Sequence, residues 1–507
     1  MTKLDSFVVL KKLVVKDIQV EPKRVKAEYC VERFSGQKAF YELVYSYDTA
    51  YFNSKSAQDI NLASMMLAQV ALNYGLFFET IEFDGLFDKA DRNFLAGMME
   101  NTSREIVTNK LLVDNEFIKP PYDALAPEKK AVYTNAKLIF SNAKFEGLTI
   151  SRVKEKTDPE KYAILSSGGK DSLLTYGIVS EIGEAHPVFI NEAGRHWFTA
   201  VNAYRHFKEI EPNAEKPWCN SDRVFNWMLK QLPFVREDYA SIRADIYPVR
   251  LWTVAVFLFG VLPVVRKKGI GNILIGNEYD TTVKEETAGI PHYNGLYDQS
   301  KYFDNAMTRY YRSKGWPIRQ FSILRSLSEL LIMKILTKRY PDLQQHQVSC
   351  HAAHKEGERM MPCGKCEKCR RIIGMLRALD EDPRRCGYTK EQIANGLKAL
   401  ERQSVKQIGS DASHLYHLLL SKKLIKRNDH TNRLAKRHDE ITKLRFDAER
   451  STLSDMPVDI RKPLFDIFCQ YADGAVQRKM HRWMDIELNK RFLTMPPYKM
   501  DEKWNMK

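Results

Sequence analysis

Tyr162-Ala-Ile-Leu-Ser-Ser-Gly-Gly-Lys-Asp-Ser172 runs four apolar residues into two serines, two glycines and a Lys-Asp-Ser triplet. A short apolar run that stops at a glycine turn reads as a buried strand. The residues after it, Leu173 to Ile182, read as a helix, and His186-Pro-Val-Phe-Ile reads as a second strand. Strand, glycine turn, helix and strand make a βαβ unit, whose strands are parallel. Two glycines between a strand and a helix let backbone N–H groups face an anion at the helix N-terminus. The turn is not the nucleoside-triphosphatase P-loop, which needs a second Gly-Lys-Ser/Thr, nor the dinucleotide fingerprint with its three spaced glycines.

Outward from this unit, Leu251 to Val265 reads as an apolar helix, Asn272-Ile-Leu-Ile as another strand and Ser326 to Arg339 as a further helix with one buried face. The expected fold class is α/β, a doubly wound parallel sheet with ligands at the carboxyl ends of its strands. Residues 1–150 read as an N-terminal α+β module, with strands at Phe7-Val-Val-Leu and Ala39 to Tyr47, a helix from Ile60 to Phe78 and a polar, Pro-containing stretch from Lys119 to Lys130. Residues 151–345 form the expected α/β domain around this turn, 346–390 a cysteine-rich element, and 391–507 a basic helical C-terminal region.

The whole chain has 507 residues, seven Trp and 11% aromatic content. That excludes a disulfide mini-protein and wholesale disorder. Lys and Arg exceed Asp and Glu by 79 to 64, a formal charge of +15, which favours phosphate-bearing or polyanionic partners. The N-terminus lacks a secretion signal. The apolar run 251–265 falls short of the roughly 20 residues that cross a bilayer. The expected location is therefore the cytoplasm, with no membrane partner; the oligomeric state is not legible, and a homodimer is one option.

Cys363-Gly-Lys-Cys366-Glu-Lys-Cys369 places three thiols at two-residue intervals, and Cys350 supplies a fourth. This spacing predicts a closed tetrahedral Zn²⁺ site, with His351 or His354 as alternatives to Cys350. Cys30, Cys219, Cys386 and Cys469 read as packing residues. Asn191-Glu192-Ala193-Gly194-Arg195-His196-Trp197 follows the second strand and should face the same crevice as the glycine turn. Arg195 is the expected anchor of a substrate carboxylate, Trp197 a stacking surface, and Glu192 or His196 a proton carrier; Asp298, Ser300 and Lys301 are weaker candidates.

Ser-Gly-Gly-x-Asp-Ser, complete at Ser167, Gly168, Gly169, Asp171 and Ser172, resembles the signature of the PP-loop ATP pyrophosphatase superfamily, with its HUP-like sheet. The resemblance implies cleavage of ATP between the α- and β-phosphates and adenylation of a substrate oxygen. Ser167, Ser172 and the Gly168 and Gly169 amides would then hold pyrophosphate, Asp171 would anchor Mg²⁺, and Lys170, at the variable position, would add charge or face outward. Ile275-Gly276-Asn277-Glu278-Tyr279-Asp280 resembles the superfamily's third-strand feature, which implies nucleotide contacts at Gly276, Asn277 and Asp280.

With Ser-Cys and Cys-Gly-x-Cys-x-x-Cys downstream, residues 161–376 are similar to the 7-cyano-7-deazaguanine synthase family. That implies a ligase that activates a deazapurine-type acid as its adenylate, on the way to an amide, a nitrile or a conjugate with a protein or nucleic-acid acceptor. The chain departs from the compact synthase in its first 150 and its last hundred or so residues. Tyr297-Asp-Gln-Ser-Lys-Tyr-Phe-Asp, Phe321-Ser-Ile-Leu-Arg-Ser-Leu-Ser-Glu-Leu and Ser349-Cys350 also resemble the ATP-dependent UDP-N-acetylmuramoyl-alanyl-glutamate epimerase family, in which an acyl adenylate acidifies the α-proton. Both families share the first half-reaction. The reading from another class is a nucleic-acid-binding or defence-associated interaction protein, drawn from the positive charge.

Overall fold

The computed structural model describes residues 3–151, 154–242, 247–350 and 352–500. It is a mixed α/β structure in which two larger sheets meet at one edge. The first sheet contains β1 (Leu10–Glu21), β2 (Arg24–Glu32), β3 (Lys38–Ser46), β4 (Phe78–Asp84) and β5 (Lys137–Ser141). Its sixth strand, β8 (Trp218–Cys219), comes from beyond residue 150, and the order is β5-β4-β1-β2-β3-β8. Leu10, Leu13, Val15 and Ile18 of β1 are buried between more exposed polar neighbours, the alternation of a strand with one face on a core. The expected strand at Phe7 begins only at Leu10, because Leu4–Phe7 forms a 3₁₀ turn.

The second sheet is built from β6 (Asp158–Leu165), β7 (Glu184–Val188), β9 (Ile270–Leu274) and β12 (Arg319–Phe321) in the order β12-β9-β6-β7, every neighbouring pair parallel. Both faces are covered. Ala163 and Ile273 join one core with the apolar helix Val254–Lys267, while Tyr162, Ile164 and Leu274 join another with the helices Lys170–Ile182 and Glu329–Arg339. Burial on both sides explains why these strands read as continuous apolar runs. The crossover after β6 stays on one face, whereas the connection from β7 to β9 ends with Val254–Lys267 on the other. The carboxyl ends of β6 and β9 consequently border a crevice.

The hairpin β10 (Lys284–Thr287) and β11 (Ile290–Tyr293) follows β9, and the hairpin β13 (His354–Glu356) and β14 (Arg359–Met361) lies between Cys350 and Cys363. The C-terminal region departs from the all-helical expectation. Beside its helices it carries a three-stranded sheet, β15 (Leu444–Phe446), β16 (Ala475–Lys479) and β17 (Arg482–Ile486). Phe446, Leu464 and Phe465 pack into the same core as Ile178 and Leu336, so this region completes the α/β unit. Among the described residues no helix is long and apolar enough to cross a membrane.

Candidate functional site

Ser166 donates its N–H to Val188 O at 2.9 Å, which holds the end of β6 against β7. The chain then turns through Gly168 at φ +72°, a left-handed conformation that favours glycine. A Cβ there would stand 2.5 Å from Thr199 O. The helix Lys170–Ile182 starts at Gly169 without a side-chain cap, so its first amides have no capping oxygen to engage them. Gly276, just past β9, lies against this helix start: a Cβ on it would meet Asp171 Cβ at 2.9 Å. Asn277 N donates to Ser322 Oγ at 3.1 Å, while its buried Nδ2 has no partner among the described residues.

Two adjoining cavities open over the turn, of about 360 and 640 Å³. Ser167, Asp171, His196, Thr199, Tyr247 and Lys368 line both, so they form one crevice. The smaller compartment is walled by Arg195, Lys368 and Arg371 facing Gly169 and Asp171. The larger is lined by Leu165, Ile190, Val254, Phe257 and Ile275, with Arg250, Lys110 and the shared Lys368 as its cations and Ser172, Gly276 and Asn277 on its wall. A Gly-rich helix start, an apolar slot and opposed cations together suit a nucleotide and a second anion.

The structure distributes the expected site residues unevenly. Ser167, Asp171, Ser172, Gly276, Asn277, Arg195 and His196 all line the crevice, with Arg195 and His196 exposed at its rim. Lys170 touches the smaller compartment, yet its Nζ is held inward by Asp171 at 2.7 Å, Glu278 at 3.1 Å and Glu329 at 3.1 Å. Neither a free phosphate ligand nor an outward lysine, it neutralises a buried carboxylate group. Burial alone would raise Glu329, but Lys170 and Arg371 outweigh it and bring its carboxyl down to about 2. Asp280 sits among these acids, and burial, with Asp411 and Glu329 nearby, pushes its carboxyl up to about 7. It lines neither cavity.

Glu192 is buried beneath the start of the helix Arg195–Ile210 and accepts from Trp197 N at 3.1 Å; burial raises it to about 7. It braces the turn that presents Arg195. Trp197 lines a separate surface depression and packs toward Tyr204. Lys301 is buried 3.2 Å from Asp455 of the C-terminal region and reaches neither cavity, and Asp298 and Ser300 cap helix starts instead. The sequence reading passed over Lys368, Arg371 and Lys110 as site residues. For Lys368 and Arg371 the signal was their place within and just after the Cys366–Cys369 interval; Lys110 carried none, because it comes from an element far away in the chain.

The Sγ atoms of Cys350, Cys363, Cys366 and Cys369 all lie within 4.8 Å of one another, a group that could hold a metal ion. The Cys350–Cys366, Cys363–Cys369 and Cys366–Cys369 separations are 3.9, 3.8 and 3.5 Å. These far exceed a disulfide bond and match the edge of roughly 3.8 Å that follows for a tetrahedron with metal–sulfur bonds of about 2.3 Å. Backbone N–H groups of Cys363 and Ala352 donate to Cys350 Sγ, and those of Lys365 and Cys366 to Cys363 Sγ, an arrangement that favours thiolates. His354 is exposed and bonded to Glu356, and His351 lies outside the described residues. The cluster sits over a third core of Ile372, Leu376, Leu400, Leu415 and Leu419. No protein-family model matches the chain, and no curated protein matches it in sequence.

Proposed function

We propose that the protein is an ATP pyrophosphatase-type ligase of the PP-loop kind, with a doubly wound sheet, that adenylates a small carboxylic acid. The observation that carries this reading is the Ser167–Ser172 turn: an uncapped helix N-terminus behind a left-handed Gly168, open to a crevice whose opposite wall is cationic. In the reaction a carboxylate oxygen attacks the α-phosphorus of ATP, the bond from that phosphorus to the bridging oxygen breaks, and pyrophosphate leaves. The turn amides with Ser167 and Ser172 hold the departing pyrophosphate, and Lys368 and Arg371 face it across the smaller compartment. Leu165, Val254 and Ile275 give the base an apolar slot. Asp171, with a side chain 31% exposed to the crevice, is the residue suited to Mg²⁺. The metal, when bound, neutralises charge on the phosphates.

Zn²⁺ at the four cysteines fits the donor set and the sulfur spacing. From the cysteine cluster the helix Glu367–Ala378 delivers Lys368 and Arg371 to the crevice. An amine then attacks the acyl carbon of the adenylate, the bond from that carbon to the AMP oxygen breaks, and AMP leaves as the amide forms, as in the deazapurine family that the sequence resembles. Incubation of the protein with MgATP and a panel of small acids, including deazapurine carboxylates, should release AMP and pyrophosphate, and Asp171→Ala should abolish both with the fold intact. ADP and phosphate as the main products would refute the assignment.

A further inference from the structure

Arg250 and Lys110 line the larger compartment and not the smaller one. Arg250 is 4% exposed. Its Nη1 lies 3.1 Å from Asp222 Oδ1, and its guanidinium sits 3.2 Å from the centroid of the Tyr247 ring and 4.3 Å from that of Phe225. Nε and Nη2 are buried and have no hydrogen-bond partner among the described residues. Those two nitrogens form one edge of the guanidinium plane, the fork that takes a carboxylate through two parallel N–H···O bonds. Native proteins seldom leave such donors unsatisfied, and donors left so beside a cavity ask for an acceptor from a ligand.

The surroundings select the anion. Lys110 donates from Nζ to Tyr247 O at 2.9 Å. Burial, aided by the charge of Arg250, brings its amine down to about 8, as expected where cations crowd without a counter-charge. Lys368 and Asp171 also line this compartment, and Asp222 is paired to Arg250, so three cations face two carboxylates, a balance that suits a monoanion better than a phosphate dianion. Around them Leu251, Val254 and Phe257 give an apolar wall. Ser166 Oγ and Asn277 Nδ2, also buried and unpartnered, line the same compartment near the glycine turn.

We propose that Arg250 and Lys110 form a carboxylate-binding subsite for an acid with an apolar or aromatic body. A carboxylate gripped by both fork donors has its charge neutralised and is a weakened nucleophile for in-line attack. On the adenylation reading, on which this step rests, the group held here is therefore a second carboxylate, distinct from the one activated above the turn. The substrate class is an acid with two carboxylates separated by a flat or apolar spacer. Lys110 belongs to the N-terminal module, which gives that module a direct part in substrate selection.

Benzoate, a single carboxylate on an aromatic body, is the probe. Its binding to the full-length protein is followed by saturation-transfer NMR, with and without Mg²⁺ and α,β-methylene-ATP, which resists cleavage between the α- and β-phosphates. The expected result is a Kd raised tenfold or more in Arg250→Met, and severalfold in Lys110→Met, with little change on adding the nucleotide. An unchanged Kd in Arg250→Met overturns the subsite, as does displacement of benzoate by the nucleotide, which would assign the fork to ATP. If Arg250→Met does not fold, Lys110→Met decides by the same criterion. Failure of the nucleotide to bind at all would remove the adenylation reading while leaving the carboxylate subsite standing.

Discussion

Gly168 shows how one residue constrains the site. Its φ of +72° and the 2.5 Å approach of Thr199 O to any added Cβ leave no room for a side chain, and the neighbour is backbone that cannot rotate away. Gly168→Ala should cost about 1–3 kcal/mol from strain alone, lower the melting temperature by several degrees in calorimetry, and abolish nucleotide binding measured by titration with α,β-methylene-ATP. Lys170 teaches the opposite lesson. Its position in the signature suggested either a phosphate contact or an outward-facing lysine, but three carboxylates within 3.1 Å hold it inward. Asp171 is its neighbour in the chain, but Glu278 and Glu329 are more than a hundred residues away, so only folding brings these counter-charges together.

At the level of single elements, the helix Val254–Lys267 begins on the carboxylate of Asp298, which accepts from Val254 N at 3.0 Å and Thr253 N at 3.3 Å. Burial pushes this carboxyl up to about 7, although the two N–H groups oppose the shift. The folded state therefore retains a proton that the unfolded chain releases near pH 4, so this contribution to stability is full below about pH 4 and is lost as pH rises through about 7. Asp298→Asn keeps an acceptor for the helix start but cannot titrate. In thermal unfolding between pH 4 and 8 the variant should show a flatter decline than the parent. The helix Glu367–Ala378 has its own anchor, since Cys366 is its N-cap. Cys366→Ser should reduce bound zinc in elemental analysis from about one per chain to a small fraction. It should also raise proteolysis within 346–434, the region packed on the cluster's core, and impair ATP cleavage through misplacement of Lys368.

On the scale of the whole molecule, the N-terminal module and the parallel sheet share one core, in which Leu67, Phe77 and Phe83 pack with Val256, Phe259 and Ile273. Pairing across residue 150 reinforces this, because Tyr45 and Ser46 of β3 pair with Cys219 and Trp218 of β8. Tyr47 also donates to Gly260 O at 2.7 Å. A chain shortened to 151–507 would expose that apolar surface, and at about 25 cal/mol per Å² the lost burial exceeds what a domain's marginal stability tolerates. It should be insoluble on expression, whereas the full chain should unfold without a separate early transition for residues 1–150.

Sequence alone determined the βαβ order around Ser166–Ser172, the apolar strands and the four-cysteine set, because periodicity, glycine turns and ligand spacing are local properties of neighbouring residues. The proposed likeness to ATP pyrophosphatases rests on the same kind of local signature. Tertiary structure decided where the cations stand: Arg371 and Lys368 at the glycine turn, Arg250 and Lys110 in the larger compartment, and Lys301 turned instead to Asp455. It also decided that β8 completes the N-terminal sheet and that β15 to β17 interrupt the expected helical C-terminus. These outcomes depend on contacts between residues tens to hundreds of positions apart, where burial and long-range charge outweigh any pattern written in a short window.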